Sequence, residues 1–180
     1  MLKKIIVAIF ALSLLAGCAS KEQRDGTGRE NGFSYAQKAI RVNVTAAKDL
    51  NTFNNQPHTL VLVLYQLDSP DVFDQMVEAP NGIAQLLQAD AFDKSVLARS
   101  REVIQPGEQR VLYLDRAEGA RYIAVVAGYY NRRSQDVSRL MPIVLRKRSA
   151  FFWHGSDQEP ADTIIELDLG GDRIETAEPA

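Results

Sequence analysis

One cysteine, two histidines and one tryptophan are all that 180 residues contain of the side chains on which redox, metal and stacking chemistry most depend. A lone cysteine, Cys18, cannot close an intrachain disulfide, and one thiol with His58 and His154 far apart offers no ligand spacing for a metal. The nucleophile elbow G-x-S-x-G and the phosphate-cradling patterns G-x-x-x-x-G-K-[ST] and G-x-G-x-x-G are missing. The acids are spread too evenly to nominate a catalytic pair. Asp68, Asp71 and Asp74 at spacing three either share a helix face that holds a cation or form an acidic first turn favoured by the helix dipole. Neither charge dominates: 21 Lys and Arg stand against 23 Asp and Glu, a net charge of −2. That balance gives no basic face for nucleic acid. We therefore expect no enzyme, no metal and no cofactor.

What is present begins at the amino terminus. Lys3 and Lys4 precede an apolar run over residues 5–15 broken only by Ser13, and Ala16 and Gly17 follow. This is the layout of a secretory signal, and the run is shorter than the roughly 20 residues a membrane-spanning helix needs. Leu15, Ala16, Gly17 and Cys18 resemble the lipobox of bacterial lipoproteins, in which the thiol is acylated and the chain is cut before it. Each buried CH₂ of such a lipid contributes about 0.8 kcal/mol, so two or more chains hold firmly without a spanning helix. Ala19 stands where an aspartate commonly retains lipoproteins in the inner membrane, which makes the periplasmic face of the outer membrane the expected address. Removing residues 1–17 takes away two lysines and no acid, moving the net charge from −2 to −4 and leaving 163 residues, enough for one domain with a core.

Residues 19–35, ASKEQRDGTGRENGFSY, are polar and nearly free of aliphatics, so residues 18–36 are expected to be a lipidated cysteine and flexible tether. Such a segment reaches roughly 20 to 25 Å as a coil. Period-two alternation then sets in. Ile40, Val42, Val44 and Ala46 alternate with Arg41, Asn43 and Thr45, a half-buried strand. TLVLVLYQL over residues 59–67 is continuously apolar, as a central strand is. LARSREVI and RVLYLD flank Gln105-Pro106-Gly107-Glu108, a type II turn signature that predicts a hairpin. RYIAVVAGYY reads as another central strand, and Pro142 demotes RLMPIVL to an edge. TIIELDL, the Gly170-Gly171 turn and a short DRIE close the count. Ser69-Pro70 signals a helix start, and Val72, Phe73, Met76, then Ile83, Leu86 and Leu87, recur at helical spacing around Pro80-Asn81-Gly82. The prediction is a mainly β, two-sheet sandwich of about eight strands over residues 37–176. A two-helix insertion at 69–94, between strands two and three, should cover one end, and 177–180 should be a frayed tail.

Two loops stand out. RKRSAFFWHG over residues 146–155 joins a basic triplet to Phe151, Phe152 and Trp153; it either meets anionic lipid or a partner, or folds its rings over the core. AKDLNTFNNQPH over residues 47–58 is long for a link between neighbouring strands, where 2 to 5 residues are usual. Leu50 and Phe53 look exposed there, as in a binding loop, or else tuck into the core.

Taken in order, Leu50-Asn51, Pro57, Tyr65-Gln66-Leu67, Phe73, Pro106-Gly107, Tyr122-Ile123, Val125-Val126-Ala127 and Tyr130, together with the lipobox, resemble the TssJ family of type VI secretion outer-membrane lipoproteins. The chain departs from that family's pattern at Thr52, Gln56 and Val63. The resemblance implies a transthyretin-like β-sandwich with a helical insertion. It further implies a scaffold that binds the periplasmic carboxy-terminal region of TssM, which with TssL forms the envelope-spanning base of the machine. The family's contact loop maps onto Lys48, Asp49, Leu50, Asn51, Thr52, Phe53, Asn54, Asn55 and Gln56. In that reading Leu50 and Phe53 are apolar anchors, Asn51, Asn54 and Asn55 bond around them, Lys48 and Asp49 sit at the rim, and the loop contributes little to the fold. The competing class is a lipoprotein sandwich that carries a small ligand or a transiting polypeptide. A pocket lined by Phe73, Met76 and Leu87 would mark that carrier, and a filled core with an exposed first loop would mark the scaffold.

Overall fold

The computed structural model of the chain describes residues 33–130, 133–147 and 158–180. The signal, Cys18 and most of the tether lie outside these residues, as does 148–157 of the basic-aromatic loop. Among the described residues ten strands are formed: β1 (Ala36–Ala46), β2 (Leu60–Leu67), β3 (Val96–Ile104), β4 (Gln109–Arg116), β5 (Tyr122–Ala127), β6 (Ser138–Pro142), β7 (Leu145–Lys147), β8 (Gln158–Pro160), β9 (Thr163–Leu169) and β10 (Ile174–Pro179). Three short helices accompany them among these residues: α1 (Asp71–Glu78), α2 (Gly82–Gln88) and α3 (Ser134–Val137). Eight strands make two four-stranded sheets, ordered β10-β9-β1-β4 and β3-β2-β5-β6, and β7 with β8 makes a separate ribbon.

The alternation along β1 does what its period demands: Ile40, Val42, Val44 and Ala46 are buried, while Arg41, Asn43 and Thr45 face out. Facing them across the sandwich are Leu60, Leu62 and Leu64 of β2 and Ile123, Val125 and Ala127 of β5, and Ile165, Leu167 and Leu169 of β9 join the same core. Each of the valine, leucine and isoleucine side chains contributes about 1.5 to 3 kcal/mol by leaving water. Gln66 is buried among them and satisfied at both ends: its amide donates to the Asp115 carbonyl and its carbonyl accepts from the Ala117 amide, lacing the two sheets together.

Apart from Gln66, β2 is apolar because both of its faces are covered. Tyr65 points away from the sandwich, into the insertion, where its hydroxyl donates to the carbonyls of Leu86 and Ala89 and its ring meets Phe92 edge-on at 5.1 Å. Burial pushes that hydroxyl's pKa up. α1 and α2 thus cover the outer face of the second sheet, and the expectation that they cover one end is corrected. Phe73 is buried against Phe92, and Met76 and Leu87, both partly buried, pack on the core. The connection between the helices is tight: Asn81 is left-handed at φ 63°, and a Cβ on Gly82 would overlap the Met76 carbonyl oxygen.

Two further corrections concern pairing. The turn at 105–108 forms, with the Glu108 amide donating to the Gln105 carbonyl at 3.1 Å and Gly107 at φ 75°, but it does not join a hairpin. β3 pairs with β2 and β4 pairs with β1, so the turn carries the chain from one sheet to the other. Arg110, in contact with Glu102 at 3.1 Å and Glu108 at 2.8 Å, bridges β3 to β4 beside that corner. The tail does not fray as far as expected: β10 runs to Pro179, antiparallel to β9, with Ile174 buried and the Ala180 amide bonded to the Ile164 carbonyl. Pro142 lies in β6, at a sheet edge, where a missing N–H costs no ladder bond.

Candidate functional site

The loop after β1 is built rather than slack. The Ala47 amide donates to the Leu169 carbonyl at 2.8 Å and the Leu50 amide to the Ala47 carbonyl at 3.1 Å, turning the chain inward so that Leu50 is fully buried in the core. Asn51 follows, also buried. Its side-chain amide donates to the Thr59 carbonyl at 2.9 Å, and its Oδ1 accepts the Tyr130 amide at 2.9 Å. The Thr52 hydroxyl donates to the Asp49 carbonyl, and the Thr52 amide to the Gly171 carbonyl at 2.7 Å. The start of β2 is thereby stapled to the ends of β1, β5 and β9.

Above this base stands a miniature hairpin. Phe53 and Gln56 exchange backbone hydrogen bonds at 2.9 and 3.0 Å, and Asn54 and Asn55 between them have φ of 50° and 59°, the type I′ arrangement. Asparagine tolerates this left-handed region better than other side-chain-bearing residues, which accounts for its use here and at Asn51, φ 49°. The hairpin carries Phe53, 47 % exposed, flat against Tyr130, 53 % exposed, with ring centroids 4.5 Å apart and planes 21° from parallel. His58 approaches both rings edge-on, 5.2 Å from Tyr130 and 6.5 Å from Phe53. The sequence neighbour of Tyr130, Tyr129, turns the other way: buried, it donates to the carbonyls of Gly170 and Arg173, and burial raises its pKa.

The predicted site residues therefore separate. Lys48, Asp49, Thr52, Phe53, Asn54, Asn55 and Gln56 are exposed in one loop. Leu50 is corrected from surface anchor to core side chain, because the turn at 47–50 aims it inward. Asn51 is corrected from surface hydrogen-bonder to buried strut, both ends of its amide being spent inside the protein. The loop does contribute to the fold. Tyr130 and His58 lie beside Phe53 and were not foreseen: Tyr130 stands 77 positions away at the close of an apolar run, and His58 two residues past the predicted boundary. Among the described residues no three His, Cys, Asp or Glu side chains gather as a metal site, and no helix is long and apolar enough to cross a membrane. A shallow cleft of about 270 Å³ lies elsewhere, lined by Val77, Glu78, Asn81, Gly82, Ile83 and Ser134 among others.

Comparison with known proteins bears on the whole domain. None of the curated proteins compared matches the chain. Among solved structures, the type VI lipoprotein TssJ1 from Pseudomonas aeruginosa is similar at 18 % identity and a TM-score of 0.55, over 82 % of this chain and 98 % of that one. Serratia marcescens Lip, a membrane-bound component of the type VI secretion system, is similar at 21 % identity and a TM-score of 0.57, over 82 % and 97 %. A chain in the structure described as the type VI TssM C-terminal domain from EAEC is similar at 19 % identity and a TM-score of 0.56, over 78 % and 98 %. These likenesses carry the sandwich fold. The family model T6SS-SciN, described as type VI secretion lipoprotein, VasD, EvfM, TssJ, VC_A0113, matches residues 38–170, so the chain belongs to the type VI secretion lipoprotein family.

Proposed function

We propose that the protein is held to the periplasmic face of the outer membrane by acyl chains on Cys18 and binds the periplasmic carboxy-terminal region of TssM. Through TssM and its companion TssL it ties the type VI membrane complex to the outer membrane. No reaction is involved, and the only prosthetic group is the covalent lipid. The observation that carries this reading is the stacked Phe53–Tyr130 pair, half exposed on a hairpin whose base is fixed by Leu50 and Asn51. A rigid aromatic projection loses little conformational freedom on binding and fits a partner's pocket as an anchor. Lys48, Asp49, Thr52, Asn54, Asn55 and Gln56 surround it, and exposed charges at such a rim mainly steer encounter. The packing of Phe73, Met76 and Leu87 on the core favours this scaffold over a carrier.

The test leaves the base intact. Replacing residues 53–56 by Ser-Asn-Gly-Ser keeps a two-residue hairpin and removes the ring. The tagged lipoprotein so changed should no longer recover TssM from solubilised envelopes, while remaining in the outer-membrane fraction that Cys18→Ala leaves. Undiminished recovery of TssM would put the interface elsewhere.

A further inference from the structure

We infer that the domain transmits tension between membrane and partner along the single strand β1, so that the rest of the fold stays outside the line of force. This rests on reading Cys18 as the anchor and residues 47–56 as the partner's grip, and adds to that reading how the link withstands load.

The chain enters and leaves β1 at opposite poles, and each pole is fastened. At entry, the Gly119 amide donates to the Phe33 carbonyl at 2.7 Å, and the Arg121 guanidinium lies 5.6 Å over the Phe33 ring. Arg116 Nε donates to the Ser34 carbonyl at 3.2 Å. The Tyr35 hydroxyl and the Lys38 amide both donate to the Asp115 carboxylate, each at 2.8 Å. At exit, the Ala46 and Ala47 amides donate to the carbonyls of Glu108 and Leu169, both at 2.8 Å, and the Gly107 amide donates to the Ala47 carbonyl at 2.9 Å. Between the poles β1 is interior to its sheet, antiparallel to β4 over Ile40–Thr45 and parallel to β9 over Ile40–Ala46.

Tension favours a change in proportion to the length that change releases. A strand rises about 3.3 Å per residue, and a residue pulled straight spans at most about 3.6 Å. Freeing β1 from its neighbours thus gains only a few tenths of an ångström per residue, so a pull from both of its ends hardly tilts the balance toward unfolding. The nine other strands of the described residues all follow the loop in sequence and lie off the covalent path from tether to partner. A pull through Ala180 is different. β10 is an edge strand, paired only with β9 among the described residues, and it runs opposite to β1 towards the entry side, ending where the Ala180 amide meets Ile164 opposite Arg41, the midpoint of β1. Its bonds would open one after another, and each freed residue would add its full length.

The test pulls the domain, which carries its own core, between thiol handles in the presence of a dye that brightens on exposed apolar surface. The chain runs from residue 18 with Cys18→Ser, so that only the handles react. One handle is Ser20→Cys; the other is Asn55→Cys or a cysteine added after Ala180. The Asn55 geometry should hold without brightening to a load at least about twofold above that at which the Ala180 geometry unfolds, since forced unfolding is governed by the rate at which load opens the fold. A handle at Gln56→Cys should repeat the Asn55 result if the turn tolerates the change. Brightening in both loop geometries at or below the Ala180 load overturns the inference. No partner is present, so that result would leave the binding reading standing, and failure of the recovery experiment above would leave this one standing.

Discussion

The backbone amide of Tyr130 donates to Oδ1 of Asn51 at 2.9 Å across 79 positions of sequence, and the other end of the same side chain donates to the Thr59 carbonyl at 2.9 Å. One buried amide thus joins the end of β5 to the loop before β2. Asn51→Ala removes both bonds and leaves a buried N–H and C=O without their partner, a loss of about 2 to 4 kcal/mol. Urea unfolding measures it, and a loss below about 0.5 kcal/mol, the range of an ordinary surface change, would remove Asn51 from the framework.

Leu50 and Phe53 should respond in opposite ways although they stand only three positions apart. Leu50→Ala empties a core site and should cost about 2 to 5 kcal/mol of stability. Phe53→Ala should leave stability within about 0.5 kcal/mol, because its ring is half exposed. Melting curves of the two variants compare them directly, and equal losses would mean that Phe53 is structural too.

Gly82→Ala should destabilise the helical insertion by about 3 kcal/mol, the upper range for overpacking, since the clash is with backbone rather than with a movable side chain. Calorimetric melting with a midpoint unchanged from the parent would show that α1 and α2 can separate freely.

Asp115 sets a pH dependence on the strap before β1. The Lys38 amide, and after it the Tyr35 hydroxyl, hold its carboxyl below the usual range. A carboxyl lowered in the fold stabilises in full above its ordinary value of about 4, and the contribution is lost as pH falls through the lowered one. NMR signals of residues 35–38 should therefore move on acidification below pH of about 4. Asp115→Asn should flatten that response, and an unchanged acid profile in the variant would exclude Asp115 as its source.

The core of β1 was legible because strict alternation of Ile40, Val42, Val44 and Ala46 has one structural meaning, and the unbroken apolar run of β2 marked a strand with two covered faces. Partner choice was not. Pro106-Gly107 prescribes the same torsions whether the strands after it pair with each other or enter different sheets, and only packing of the whole domain decides. Likewise an apolar residue in a polar loop reads alike whether it points out, as Phe53 does, or in, as Leu50 does. Of the three left-handed asparagines in this loop, Asn54-Asn55 carry a signal, a dipeptide suited to a type I′ turn, but polarity alone reads the same for an adaptable surface. Tyr130 could not be joined to the loop from sequence, because the bond that brings it there runs through a buried side chain.

The claim that Phe53 is the anchor for TssM is tested most directly by titration calorimetry of the mature domain with the TssM carboxy-terminal region. Phe53→Ala should weaken binding by at least about thirtyfold, equivalent to about 2 kcal/mol, as loss of a central aromatic anchor does. An affinity unchanged from the parent, with the variant folded, would contradict the account.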